Sequence, residues 1–144
     1  MRIAVTSHGP DPSCDVDESF GRAYWFVVYD DVEDIWESFD NGPIRNCSEN
    51  VGVRATEFLV DQEVDVVITG EAGPRAFRAL TLRGVKVCLQ ASGTVEEMIR
   101  AWTAGQLTEA QIANGKCSPF CLESLANGLS PLQPNPPLVI VPRA

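Results

Sequence analysis

The chain has 144 residues, of which 44% are hydrophobic and 22% are charged, and its formal net charge at pH 7 is −9. These values are typical of one soluble domain with a sizeable core. The acidic balance argues against a nucleic-acid partner, whose phosphates need basic patches, and against an anionic membrane surface. No run approaches the roughly 20 apolar residues of a membrane span, and no apolar leader follows Met1, so a cytoplasmic protein is predicted.

The first three predicted elements are strands. Residues 2–7 form a short buried strand that ends in a polar loop. Residues 23–30 are almost continuously aromatic or β-branched, which is typical of a strand covered on both faces. Residues 35–40 are more polar, so they are predicted to return as the second strand of a hairpin, at an edge of the sheet. Residues 41–50 are predicted as a loop.

Strands then alternate with helices. Asn50 is the predicted N-cap of a helix whose apolar stripe begins at Val51. A buried strand over 64–70 leads into a helix that starts at Pro74 and stops at Gly84, and 85–90 form the last strand. Parallel strands need such crossovers, whereas the hairpin adds antiparallel pairing. The sequence therefore predicts a mixed sheet with helices on both faces.

Two capping patterns follow. Thr94 and Glu97 fit a capping box for a helix that ends at Gly105, and Thr108 and Gln111 repeat the pattern for a short helix that stops at residue 114. Residues 114–144 form a predicted tail with a cysteine pair, a proline-rich stretch and the apolar run LVIV at 138–141. That run is interpreted as an edge strand or a subunit contact, which leaves a homodimer open.

Three loops are predicted to meet beyond the carboxyl ends of the strands, at 7–14, 70–74 and 90–93. The 70–74 loop, GEAGP, joins a strand to a helix, where backbone N–H groups favour an anion. It lacks the lysine and the glycine spacing of nucleotide-binding loops. The alternative is a tight turn that needs glycine only for its backbone conformation.

The candidate metal ligands are soft. His8 is the single histidine, and Cys14 follows it in the same loop, a pair that suits iron, copper or a metal–sulfur cluster. Cys117 and Cys121 could supply only two ligands of a metal site, since zinc and iron–sulfur centres usually take four. A surface dithiol or buried thiols remain the alternative. Cys88 lies in a strand pattern and is predicted to be a core thiol.

The positions of the carboxylates in the sequence indicate a solvated acidic surface, and not a catalytic site. Asp11, Asp15, Asp17 and Glu18 crowd one proline-rich loop, whereas hard-metal sites hold carboxylates on opposing elements. A two-metal nuclease or phosphohydrolase needs acidic groups on its central strands, and residues 2–7 have none. No Ser/His/Asp triad is identifiable, so an enzyme is not predicted.

The stretches FGRAYWFVVYD (20–30), VDVVITGEAGPRAFRALTLRGVKV (64–87) and GTVEEMIRAWTAGQL (93–107) together resemble the dinitrogenase iron–molybdenum cofactor biosynthesis family. The resemblance covers residues 2–113, which sets a domain over 1–113 and a tail over 114–144. It implies a ribonuclease-H-like three-layer α/β fold, with five strands in a mixed sheet and three flanking helices.

The resemblance also implies a carrier that binds an iron–sulfur or iron–molybdenum-type cluster, or its precursor, and exchanges it with a donor or acceptor protein. The alternative is a non-catalytic regulatory domain that binds a small anion or a protein. Arg22 or Arg75 would place positive charge beside the anionic guest. The motif matches and loop positions give the cofactor-binding candidates Ser7, His8, Phe20, Gly21, Arg22, Gly70, Glu71, Gly73 and Pro74. The metal candidates are His8, Cys14, Cys117 and Cys121.

Overall fold

Residues 1–114 are described by a computed structural model, in which a five-stranded sheet has the order β3-β2-β1-β4-β5. The strands are β1 (Arg2–Ser7), β2 (Trp25–Asp30), β3 (Ile35–Asp40), β4 (Val66–Ile68) and β5 (Lys86–Cys88). The helices are α1 (Gly42–Arg45), α2 (Val51–Asp61), α3 (Pro74–Leu82) and α4 (Val95–Thr103). The mixed α/β sheet predicted from the sequence is confirmed.

The pairing directions bring several loops to one end of the sheet. β1 is antiparallel to β2, and β2 is antiparallel to the edge strand β3, as the hairpin pattern predicts. β1, β4 and β5 are mutually parallel. The segments that leave Ser7, Ile68 and Cys88 therefore emerge at the same end, which is called the rim below.

Both faces of the sheet are covered, because β1 and β2 alternate their apolar side chains between two cores. Ala4 and Phe26 face the core built with α2 and α3. Ile3 and Val27 face the other core, which α4 closes. α2 and α3 approach closely at Gly52, where an added Cβ would lie 2.6 Å from the Cβ of Ala76. Such burial of apolar area on two faces is the main stabilisation of a sheet of this size.

The capping box of α4 is confirmed. The Glu97 N–H donates to the Thr94 hydroxyl at 3.2 Å, and the Thr94 N–H donates to the Glu97 carboxylate at 2.9 Å. Asn50 does precede α2, but its backbone is left-handed (φ 62°) and its side chain makes no capping hydrogen bond. The position of the helix start was therefore predictable, although the mechanism of capping was not.

Two predictions of local structure are wrong. The predicted loop at 41–50 contains α1, which is a fourth helix. Pro43 lies in the first turn of α1, a position where proline favours a helix start. The predicted helix over 108–114 is absent, since those residues have no regular secondary structure beyond a bend at 111–112. The Ala110 N–H instead donates to the Val87 carbonyl of β5 at 2.7 Å, so a tertiary hydrogen bond to the sheet edge replaces a helical one. The run LVIV lies outside the described residues.

None of the helices in residues 1–114 is long and apolar enough to span a bilayer.

Candidate functional site

The three predicted loops meet at the rim. The Val95 N–H donates to the Cys14 carbonyl at 3.0 Å, which joins the first loop to the start of α4. The Phe20 N–H donates to the Glu71 carbonyl at 3.1 Å, and the Gln90 N–H donates to the Gly70 carbonyl at 2.9 Å. Backbone hydrogen bonds therefore join the second loop directly to the third, and join the end of the first loop to the helix that follows the third, so the rim is held together as one surface.

The 70–74 loop uses much of its hydrogen-bonding capacity within the domain. The Glu71 N–H donates to the Glu18 carbonyl at 2.6 Å, and the Ala72 N–H donates to the Asn114 side-chain oxygen at 3.1 Å. Two amides expected to face an anion are therefore already paired. Glycine is required at 70 because an added Cβ would lie 2.8 Å from the Glu18 backbone. Close approach of the Glu18 backbone accounts for Gly70, and not a left-handed backbone conformation, since the φ of Gly70 is not positive.

The rest of that loop starts α3. Gly73 is its N-cap in an extended conformation, with φ −69°, and Pro74 occupies the first turn, as the sequence predicts. Glu71 and Arg75 have exposed side chains beside this helix start. They are accessible to a guest at the rim, although the Glu71 carboxylate would repel an anion.

His8 stands at the rim beside a buried carboxylate. Its side chain is 52% exposed, and its Nδ1 lies 3.6 Å from the Asp17 Oδ2. Asp17 is only 6% exposed, so its placement on a solvated acidic face is wrong, whereas Asp11, Asp15 and Glu18 are exposed as predicted. A carboxylate behind a histidine orients the ring and is a common support for a metal-binding imidazole.

Ser7 and Cys14 shape the loop around His8. The Ser7 hydroxyl is buried and donates to the Gly9 carbonyl at 2.6 Å, so it fixes the loop and does not face solvent. The Cys14 sulfur packs on Gly9, where an added Cβ would lie 2.6 Å from it. The structure thus places the half-buried thiol of Cys14 against the residue that follows His8.

Three motif residues are structural in this fold. Phe20 is 1% exposed and its ring lies 5.8 Å from that of Phe26, which excludes direct contact with a guest at the surface. An added Cβ at Gly21 would lie 2.8 Å from the Gly52 backbone nitrogen. The Arg22 guanidinium donates to the Arg45 carbonyl at 2.7 Å, at the C-terminal end of α1. Packing and helix termination therefore explain these positions.

Tyr24 and Arg45 extend the rim and were not identified from the sequence. The Arg45 guanidinium lies 3.9 Å from the centre of the Tyr24 ring. The centre of the His8 ring lies 5.9 Å from the centre of the same tyrosine ring, which is exposed. Cation–π contacts of this kind hold the guanidinium in place. This group, His8, Tyr24 and Arg45, is called the aromatic–basic patch. The sequence feature that could have indicated this patch is Tyr24, an aromatic residue that immediately precedes β2.

The described cysteines differ in chemical availability. Cys47 donates its thiol to the Pro43 carbonyl at 3.3 Å and is half-buried. Within residues 1–114, no group of three or more His, Cys, Asp or Glu side chains is placed to hold a metal ion. Cys117 and Cys121 lie outside the described residues. His8 and Cys14 therefore need further ligands, from elsewhere in the chain or from the guest itself, to make a complete site.

Cys88 is expected to resist alkylation in the folded protein. It is 2% exposed, and burial raises the pKa of its thiol to about 11, so little reactive thiolate is present at pH 8. Iodoacetamide should label Cys14 and Cys47 but label Cys88 only after unfolding, which peptide mass spectrometry measures. Labelling of Cys88 at the rate of Cys14 would contradict its core position. Because the native pKa is raised, this thiol should also reduce stability as the pH rises from about 9 through 11.

The fold and the rim define a small α/β domain whose loops gather a histidine, a thiol and a guanidinium at one end of a mixed sheet. The chain belongs to the dinitrogenase iron-molybdenum cofactor family, whose sequence profile matches residues 1–105. A comparison with curated protein sequences gives no match.

Solved structures agree with this membership. The apo form of the orange protein from Desulfovibrio gigas is 37% identical, with a TM-score of 0.77, and the match covers 79% of this chain and 96% of that chain. A candidate NifB protein from Thermotoga, solved by NMR, is 34% identical with a TM-score of 0.67, over 75% of this chain and 91% of that one. A candidate dinitrogenase from Methanocaldococcus jannaschii, 14% identical with a TM-score of 0.58, covers 78% and 96% and supports the fold alone.

Proposed function

We propose that the protein is a non-catalytic cytoplasmic carrier that binds an iron–sulfur or iron–molybdenum-type cluster, or a precursor of one, during cofactor assembly or delivery. The observation that carries the proposal is the rim, where His8 and Cys14 share one loop and His8 also belongs to the aromatic–basic patch. Membership of a family described by the iron–molybdenum cofactor supports the same role. The carrier would receive its cargo from one protein and pass it to another.

The chemistry of the rim suits an anionic metal–sulfur guest. Imidazole and thiolate are soft ligands that bind iron and copper, and the Arg45 guanidinium supplies positive charge on a chain whose net charge is −9. A cluster brings its own sulfides, so the protein need supply fewer ligands than a lone metal ion requires. We assign His8 and Cys14 as ligands from the domain, with Cys117 and Cys121 as the remaining candidates.

The second candidate function is a regulatory domain that binds a small anion. It is favoured by the absence of a three-ligand group within residues 1–114 and by the Arg45 guanidinium, which stacks on the exposed Tyr24 ring at the rim. In that case phosphate or sulfate would bind at the rim without iron, and removal of the thiols would leave the binding unchanged.

Iron content after anaerobic reconstitution tests the carrier proposal. Wild-type protein treated with ferrous iron and sulfide and then desalted should retain both, with visible absorbance. The double variant His8→Ala, Cys14→Ser should lose most of the bound iron because it loses both domain ligands. Cys47→Ser is the matched control, since Cys47 is equally half-buried but bonds to Pro43. A wild-type protein that retains no iron would overturn the proposal.

A further inference from the structure

Strand β3 ends the sheet on one side, and its outer edge is open to pairing. The sheet order places β2 on one side of β3 and, among residues 1–114, no strand on the other. The register with β2 runs without interruption from Ile35 to Asp40, so no bulge turns the edge away. Five of the six residues are exposed. The strand also contains no proline or lysine, the residues that commonly protect sheet edges against pairing.

The hydrogen bonds to β2 determine which backbone groups of β3 point outward. The Asn41 N–H donates to the Tyr24 carbonyl at 3.0 Å, one step beyond the end of β3 in the same register. Bonded and non-bonded pairs alternate along an antiparallel ladder. Counting back from Asn41, every second residue of β3 therefore bonds to β2, and the residues between them direct their N–H and C=O groups away from it. The outward residues are Trp36, Ser38 and Asp40.

The side chains of β3 offer apolar surface on both faces of the edge. Ile35 is 46% exposed and Trp36 is 38% exposed, and adjacent residues of a strand lie on opposite faces. The Trp36 ring lies 4.6 Å from the Tyr29 ring, measured between centres, and this contact holds the indole in place. An added strand would cover apolar surface on both faces, and a lysine or arginine beside Trp36 would lie over its ring.

The hairpin that carries this edge is strongly acidic. Residues 30–40 contain six carboxylates and no lysine, arginine or histidine. Two cations offset part of this charge: the Arg2 guanidinium lies 2.7 Å from the Glu37 carboxylate, and the N-terminal ammonium lies 2.8 Å from that of Asp31. Six carboxylates against two cations leave a net charge of −4 here, which is close to half of the −9 of the whole chain.

This charge decides which kind of strand fits the edge. A second copy that paired through β3 would bring an equally acidic hairpin against this one, and like charges on adjacent strands are destabilising. A segment that alternates basic with β-branched residues would instead place positive charge beside Trp36 and Asp40 on one face. Its β-branched side chains would then lie beside Ile35 and Phe39 on the other face. Such a segment satisfies the backbone groups, the apolar surface and the charge together.

We propose that the outer edge of β3 is a docking site for an extended, basic segment of a partner protein, which joins the sheet as a sixth strand. The outward N–H and C=O groups of Trp36, Ser38 and Asp40 supply the pairing, and the acidic hairpin selects a basic sequence. This docking site lies along the sheet edge and uses neither His8 nor Cys14, so it is independent of the proposed carrier function.

Amide hydrogen exchange, followed by NMR on the full-length protein, measures whether the edge is open. The Trp36 and Ser38 N–H groups should have protection factors about tenfold or more below that of the Glu37 N–H, which bonds to β2. Strong protection of the outward groups at every protein concentration would mean that residues 115–144 cover the edge. Protection that appears only at high protein concentration would mean that a second copy does. Either result would overturn the proposal.

A synthetic peptide tests the chemistry of the partner. A nine-residue, acetylated and amidated peptide that alternates lysine or arginine with valine or threonine should bind and raise the protection of the Trp36 and Ser38 N–H groups about tenfold. Its affinity should fall as NaCl is raised from about 50 to about 500 mM. The same peptide with glutamate at every basic position should give no protection. Equal effects of the two peptides, or no effect of either, would contradict a basic partner.

Ser38→Pro tests the backbone pairing. Proline removes an outward N–H that is not bonded to β2, a position where sheet edges tolerate it. It also removes the hydroxyl, which donates to the Pro10 carbonyl, so Ser38→Ala is the matched control. Affinity for the basic peptide should fall about tenfold or more in Ser38→Pro and less than about twofold in Ser38→Ala. Equal affinities in the two folded variants would show attraction by charge alone and overturn strand pairing.

Methylated peptides give the same test on wild-type protein if Ser38→Pro does not fold. Two versions of the basic peptide carry N-methyl groups on the odd or on the even backbone nitrogens. Only one set of nitrogens faces β3 in an added strand, so one version should lose about tenfold in affinity and the other should keep it. Equal affinities of the two versions would overturn the proposal.

Discussion

Replacing Phe20 with alanine is expected to lower the free energy of unfolding by about 3–5 kcal/mol, the usual cost of removing a buried phenyl ring. Phe20 is 1% exposed and packs against Phe26 in the core that α2 and α3 close. The Phe20 N–H and the Glu18 carbonyl are both paired with the Glu71 backbone, so the chain just before this side chain is held in place and cannot easily collapse into the cavity.

Urea denaturation followed by tryptophan fluorescence measures this loss. Tyr24→Ala is the matched control, because Tyr24 is an aromatic residue four positions along the chain that is 46% exposed, and it should cost about 1 kcal/mol. The resemblance assigns Phe20 a ligand-binding role, which predicts the reverse pattern: stability near that of wild type and a selective loss of bound iron. The two variants therefore distinguish a core position from a site position.

Much of the fold was predictable because its signals are local. The β-branched run of β2, the polar edge strand β3 and the Thr94–Glu97 capping box each depend on residues that are close together in sequence. The failure at 108–114 has a different cause. Its capping pattern is genuine in the sequence, but the bonds from Ala110 to Val87 and from Asn114 to Gly70 are long-range and outcompete a single isolated turn of helix. The ribonuclease-H-like classification stays a prediction.

The site was predictable in outline only. The rule that loops gather at the carboxyl ends of parallel strands located the rim, and it identified the loop that contains His8. A motif does not reveal whether its glycine admits a ligand or a neighbouring backbone, however, and at Gly21 and Gly70 the neighbour is backbone. The prediction that Asp17 is solvated was wrong for a similar reason. The sequence does not distinguish the four acidic residues of that loop, and only the fold shows that Asp17 is buried.

Replacing Asp17 with alanine is expected to lower the free energy of unfolding by about 3 kcal/mol, because two backbone donors would lose a charged acceptor. The Ser19 and Tyr24 N–H groups each donate to one of its carboxylate oxygens at 3.1 Å. Hydrogen bonds to a charged group contribute roughly 1.5–3 kcal/mol each, and water entering the exposed side of the loop recovers part of that loss. Urea denaturation at pH 7 provides the measurement.

Two companion variants make the Asp17 result specific. Asp15→Ala removes an exposed carboxylate from the same loop and should change stability by less than about 0.5 kcal/mol. Asp17→Asn keeps one acceptor oxygen, so about half of the loss should remain. Asp17 also stands 3.6 Å from His8, which means that Asp17→Asn should lower iron retention although the protein stays folded. Iron retention equal to that of wild type in this variant would show that the carboxylate supports the loop alone, and that His8 binds without a partner that orients it.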